Sequence, residues 1–140
     1  MPFGSEHIIT AKNRSVVREL VPLLFVGDIE ASLAFYHERL GFDVVATWKP
    51  NNQLAWCRLE RDGSAIMLQQ AEEEDGPATG RGHGVNFYFN CDDVDLFYRE
   101  VIERGLMAKA PTIAHYGERQ LHLRDPDGYE LCFQSPAKSA

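Results

Sequence analysis

Residues 26–42 read VGDIEASLAFYHERLGF, and the same plan returns 65 residues later, where Asp93 takes the place of Asp28. In the first copy the apolar run Val21 to Val26 leads into Asp28, whose carboxylate suits the free amides of a helix's first turn. Ile29, Leu33, Tyr36 and Leu40 then recur at helical spacing, and Gly41 stands where a left-handed residue closes a helix. In the second copy Val85 to Cys91 leads into Asp93, then Val94, Phe97, Val101 and Ile102 share one helix face and Gly105 ends it. The same offset lays Asp62-Gly63 on Asp127-Gly128, Met67 on Cys132 and Gln69 on Gln134, with Gly41 meeting Gly105 after a slip of one residue. The aspartates and glycines are turn and cap positions, so the match is a repeated structural unit.

After each helix three strand-like segments follow. In the first half they are Phe42 to Trp48, Leu54 to Glu60 and Ser64 to Gln70; in the second, Leu106 to Ala110, Arg119 to Arg124 and Tyr129 to Gln134. Lys49-Pro50-Asn51-Asn52, Arg61-Asp62-Gly63 and Asp125-Pro126-Asp127-Gly128 are the turns between them. Each half therefore reads βαβββ, and the fold class is α+β, two such modules making a cupped mixed sheet with helices on its outer face. The expected organisation is an extension over residues 1–19, one domain over 20–135 with modules 20–70 and 85–135, and a tail over 136–140. Residues 71–84 (AEEEDGPATGRGHG) have no apolar period and read as a linker.

Composition narrows the function classes. The chain has 140 residues, 44% hydrophobic and 25% charged, which is the profile of a globular domain with its own core. Leu20 to Gly27, its longest uncharged apolar stretch, is far short of the roughly 20 residues needed to cross a bilayer, so no membrane partner is expected. The first residues lack a basic-then-apolar secretory pattern, and the expected location is cytoplasmic. Cys57, Cys91 and Cys132 have neither even number nor CxxC spacing, and read as reduced thiols. A formal net charge of −7 disfavours nucleic acid and leaves a neutral or cationic small molecule as the expected partner.

Strand alternation divides the side chains between two faces. Leu24, Val26, Ile66, Leu68, Val85, Phe87, Phe89, Leu121, Leu123, Leu131 and Phe133 form an apolar set suited to packing under helices. Val21, Leu23, Phe25, Met67, Gln69, Asn86, Tyr88, Asn90, Gln120, His122, Cys132 and Gln134 must face the other way. Amides, a phenol, an imidazole and a thiol among large apolar groups are the lining of a small-molecule cavity.

The repeat, the segment 26–42 with Phe35-Tyr36 and Leu40-Gly41-Phe42, and the Arg124-Asp125-Pro126-Asp127-Gly128 turn resemble the vicinal oxygen chelate superfamily of glyoxalases, extradiol dioxygenases and fosfomycin- and bleomycin-resistance proteins. The resemblance covers about Leu20 to Ser135. It implies a cupped sheet, a homodimer whose interface completes each cup, and, in metal-dependent members, His and Glu ligands on the first and last strands of each module. Carried onto this chain, those four positions are Val21, Met67, Asn86 and Cys132. None is a His or a carboxylate, and Asn, Met and a lone Cys are poor ligands for a hard or borderline divalent ion. No metal and no cofactor are expected. The resemblance then points to the bleomycin-resistance-like members, which sequester a drug without altering it; the enzymatic alternative is a lyase, isomerase or dioxygenase with ligands displaced to His122 and Cys132, or using no metal at all.

The expected ligand-binding residues are Trp48, Trp56, Met67, Gln69, Asn86, Tyr88, Asn90, Tyr116, Arg119, His122 and Cys132. Trp48 and Trp56 offer flat surfaces that suit a planar ligand, or equally a core or dimer contact. Asn86, Tyr88 and Asn90 form a polar row that needs a ligand, water or cross-strand partners such as Gln69, Gln120 or Gln134. Tyr116 and Arg119 belong to a connection that the resemblance brings over the cup mouth. His122 reads as a satisfied buried imidazole and Cys132 as a small apolar filler, since neither has an identifiable carboxylate or base beside it. No residue is assigned a catalytic role.

Overall fold

A computed structural model describes residues 13–137. Of the expected extension and tail, residues 1–12 and 138–140 lie outside the described residues, and residues 15–22 carry neither helix nor strand. The first module comprises β1 (Leu23–Val26), α1 (Ile29–Ala34), β2 (Asp43–Trp48), β3 (Trp56–Arg61) and β4 (Ser64–Gln70). The second comprises β5 (Asn86–Asn90), α2 (Val94–Glu103), β6 (Thr112–Ile113), β7 (Glu118–Arg124) and β8 (Glu130–Pro136). Each module is a four-stranded mixed sheet, in the orders β1-β4-β3-β2 and β5-β8-β7-β6. In each, the first strand pairs parallel with the last and the remaining pairs are antiparallel. The α+β class and the doubled βαβββ plan are those read from the sequence.

Both helices begin where their caps dictate. Asp28 accepts from the Ala31 amide, and Asp93 accepts from the amides of Asp95 and Leu96. The first helix departs from its expected form: after Ala34 it widens into a π turn over Phe35–Arg39, with the Leu40 amide bonded to the Phe35 carbonyl. This turn keeps Tyr36, Leu40 and Phe42 all buried on the side that meets the second module. Leu106 to Ala110 forms no strand. Its place is taken by β6, two residues fixed by pairing with Arg119 and Gln120 of β7, a tertiary contact with no local apolar signature.

The faces alternate as expected with one exception. Leu24, Val26, Ile66, Leu68, Leu121, Leu123, Leu131 and Phe133 are buried in a single core with the helices, and Phe87 and Phe89 pack at its margin. Val85 was expected in that set but is exposed, because β5 starts one residue later, at Asn86.

Polar contacts join the modules at the turn before β8. Asp125, buried, accepts from the Tyr36 hydroxyl (2.8 Å) and from the amides of Asp127 and Tyr129 (both 2.9 Å). Asp127 accepts from the Gly27 amide (2.9 Å) and pairs with Arg81 (2.8 Å). The linker therefore does more than connect. Arg81 anchors it, Gly82 lies against the Tyr129 ring, and the Tyr129 hydroxyl donates to the Phe25 carbonyl (2.8 Å). A Cβ on Gly82 would stand 2.5 Å from the Tyr129 ring, whereas one on Gly84 would meet nothing within 4 Å, and both residues have positive φ (+74° and +78°). Gly84→Ala is expected to cost about 1 kcal/mol for its backbone alone, and Gly82→Ala a further 1 to 3 kcal/mol for the forced shift of Tyr129. Urea denaturation of the two variants checks this; equal losses would contradict it.

Candidate functional site

Opposite the helices, each sheet presents an open face whose side chains follow from strand register. On the first sheet Phe25 is level with Gln69, Gln69 with Trp56, and Trp56 with Trp48, so one row crosses all four strands. The next row runs Leu23, Met67, Arg58, Ala46. Trp48 and Trp56 are direct cross-strand neighbours, and Trp48 on the outer strand is 61% exposed. Such an aromatic pair on an exposed face is a large apolar surface that the described residues leave partly uncovered. Arg58 is held flat between Glu60 (2.7 Å) and Glu19 (3.2 Å), which ties the segment before β1 to this face.

The open face of the second sheet is polar. Its rows are Asn86, Glu130, Arg124; then Tyr88, Cys132, His122; then Asn90, Gln134, Gln120, Thr112. A cavity of about 340 Å³ lies over the first two rows. Among the described residues its lining comes from the second module alone, so it has a floor but no opposing wall from the first sheet. Asn86, with its amide nitrogen turned to Glu130, donates to that carboxylate (2.9 Å), and Glu130 pairs with Arg124 (2.8 Å). Burial pushes the Cys132 thiol above its ordinary pKa, which keeps it protonated. Beside it His122 is exposed, not buried as expected, and its Nε2 lies 3.1 Å from Gln120 Oε1. Tyr116, in the connection before β7, reaches the same face and accepts from Gln120 Nε2.

Ten of the eleven expected binding residues thus belong to the two open faces, six on the second sheet and four on the first. Arg119 does not. As an odd-numbered residue of β7 it turns to the helix side, where Nε and Nη2 donate to the two Asp95 carboxylate oxygens (2.8 Å each) and lock it to α2. Its place in a connection suggested the cup mouth; its strand parity, the stronger constraint, puts it behind the sheet. The same parity would have found Arg58, Arg124 and Glu130, which the sequence reading left out.

A second, larger cleft of about 380 Å³ lies on the helix side, between Phe42 and Arg61 of one module and Phe97 and Glu100 of the other. Arg61 spans it, donating to the Leu40 carbonyl (2.6 Å), pairing with Glu100 (2.7 Å) and lying 5.0 Å from the Phe97 ring centre. Arg61 thereby ties the two modules across this cleft.

A family model described as Glyoxalase/Bleomycin resistance protein/Dioxygenase superfamily matches residues 16–133. The chain belongs to this superfamily. Solved structures of the same fold include TnmS3, an antibiotic binding protein from Streptomyces sp. CB03234, 23% identical over 89% of this chain and 100% of that one (TM-score 0.68). A glyoxalase-related enzyme from Clostridium phytofermentans is 18% identical over 89% of this chain and 98% of its own (TM-score 0.68). A bleomycin-binding protein complexed with bleomycin is 22% identical over 88% and 100% (TM-score 0.64). At these identities the likeness establishes the fold. No match was found among curated proteins.

Superfamily membership raises the question of a divalent ion, and the donor set answers it poorly. Val21 offers no donor atom, Met67 a half-buried thioether, Asn86 an amide directed at Glu130, and Cys132 a thiol kept protonated by burial. Among the described residues no three His, Cys, Asp or Glu side chains gather where they could hold an ion. The residues at the superfamily's metal positions do not fit one. Among the described residues, too, no helix is long and apolar enough to cross a membrane.

Proposed function

We propose that this member of the superfamily is a metal-independent small-molecule-binding protein that sequesters a drug or metabolite. One observation carries the reading: an aromatic row, Phe25, Trp56 and Trp48, on one open face and a row of amides, phenol and imidazole on the other. Apolar contact area with a few directional polar groups is the composition of a ligand site. The cavity with a wall missing supports a homodimer, in which a partner's first sheet would face the second sheet of this chain. The net charge of −7 favours a cationic ligand through long-range attraction, and on the faces themselves Arg58 meets two carboxylates while Arg124 meets one.

Titration of the purified protein with bleomycin, as a large cationic probe, and with a neutral planar aromatic compound, both in excess chelator, tests the proposal. The expected result is saturable binding of at least one probe that chelator leaves unchanged, stronger at low salt for the cationic one. Binding or turnover that chelator abolishes and a divalent ion restores would favour the enzymatic reading instead. The adjacency of His122 and Cys132 across β7 and β8 is what favours that reading, and alanine replacements of those two residues would then remove the ion.

A further inference from the structure

On the open face of the second sheet four side chains are joined by hydrogen bonds that all point the same way. Gln134 Nε2 donates to Asn90 Oδ1 (3.1 Å), Gln120 Nε2 donates to Gln134 Oε1 (3.0 Å), and His122 Nε2 stands 3.1 Å from Gln120 Oε1. The Tyr116 hydroxyl closes over the middle of the run, accepting from Gln120 Nε2 and donating to Gln134 Oε1 (3.5 Å). The ends, Asn90 and His122, are exposed, while Gln120 in the middle is 8% exposed.

A carboxamide is an acceptor on one side and a donor on the other. Were Gln120 to turn over alone, its oxygen would meet the Gln134 oxygen in a place that water scarcely reaches, at a cost of about 1 to 3 kcal/mol. Turning Gln134 as well moves the conflict to Asn90, which must turn in its turn. The run therefore has two self-consistent settings. In the observed one, His122 Nε2 carries the proton, Nδ1 is left as an acceptor, and Asn90 presents its NH₂ outward. In the reverse, His122 Nε2 accepts and Asn90 presents its oxygen.

We propose that Gln120 and Gln134 are positioning residues that couple His122 to Asn90, so that the hydrogen-bonding sense offered to a ligand at one end of this face is set by the other. The use of that coupling rests on the binding function proposed above; the coupling itself belongs to the ligand-free chain. In the observed setting the face offers donors at Asn90 and an acceptor at His122, two strand spacings or roughly 10 Å apart. It selects a molecule with a carbonyl-type oxygen at one end and a hydroxyl or N–H at the other, and rejects one carrying two like groups.

The Asn90→Asp chain makes the test. Aspartate only accepts, so it pins the Gln134 nitrogen, hence the Gln120 oxygen, hence a proton on His122 Nε2. Adding Gln134→Leu keeps the aspartate charge but cuts the run. Imidazole nitrogen NMR at about pH 9, where imidazoles are neutral, reads the ratio of Nε2–H to Nδ1–H tautomers, with amide spectra confirming that both chains are folded. The ratio in Asn90→Asp is expected to exceed that in Asn90→Asp/Gln134→Leu by about fivefold or more, the lower end of ordinary coupling. Equal ratios, meaning that the aspartate acts through space or not at all, would overturn the coupling. No ligand enters the measurement, so its failure leaves the binding reading standing, and failure of probe binding leaves the coupling standing.

Discussion

Asp125→Ala is expected to lower stability by about 4 kcal/mol, and the melting temperature by roughly 12 to 16 °C for a domain of this size. The size of the effect comes from what is stranded. The Tyr36 hydroxyl, 0% exposed, loses its acceptor, as do the amides of Asp127 and Tyr129. Each buried donor left without a partner costs about 1 to 3 kcal/mol. Tyr36→Phe removes one of those bonds and should cost less than half as much. The pH dependence adds a sign. Burial holds the Asp125 carboxyl above the usual carboxylate range, against the hydrogen bonds that lower it. Between the ordinary value of about 3.9 and the raised one, the native state keeps a proton that the unfolded chain has released. Asp125 therefore contributes more below that window, and its contribution falls as pH rises through it. The stability difference between the protein and Asp125→Asn should shrink with rising pH over the same interval; a difference that grows, or stays flat, would contradict the assignment. Thermal unfolding of the variants across pH 3 to 7, roughly the span of carboxylate titration, measures both effects.

Trp48→Ala/Trp56→Ala should weaken any ligand held by the open faces by about 100-fold, since buried tryptophans are the contacts whose truncation most often costs 2 kcal/mol or more. The chain has two tryptophans, and both stand in this one row. Intrinsic fluorescence is thus a local probe: a ligand seated there must change the emission, with an affinity that Trp48→Phe largely preserves and Trp48→Ala does not. Binding without any change in emission, or unaffected by the double replacement, would move the site elsewhere. Stability should respond far less than affinity, because Trp48 is mostly exposed and contributes little core.

Particular residues explain why some of this was legible in the chain alone. β4 runs over Ser64–Gln70 as read, since the Asp62-Gly63 turn fixes its start and an acidic, glycine-rich stretch its end. Asp28 and Asp93 fixed the helix starts because a cap is a local bond between a side chain and amides two or three residues on. Given the strands, period-2 alternation accounts for nine of the expected residues on the open faces, Tyr116 reaching its face from a connection, and the same alternation places Arg119 behind the sheet. Long-range pairing was the opaque part. Arg81 with Asp127, 46 residues apart, and Tyr36 with Asp125, 89 apart, have no signature short of the fold itself. The turn Asp125-Pro126-Asp127-Gly128 looked like loop chemistry and proved to be the clasp between modules. The amide run was half visible: Gln120, His122, Gln134 and Asn90 were read onto one face, but which of them bond, and in what sense, depends on register that only the folded sheet supplies.

The proposal that the open faces recognise an organic ligand without a metal ion rests on the donor set of those faces. Its most direct test is the metal content of the full chain after incubation with zinc, nickel, iron(II) and manganese and removal of free ions. Substoichiometric metal is expected for every ion, with probe binding intact. One divalent ion per chain, retained by wild type and lost on replacing His122 and Cys132, would contradict it.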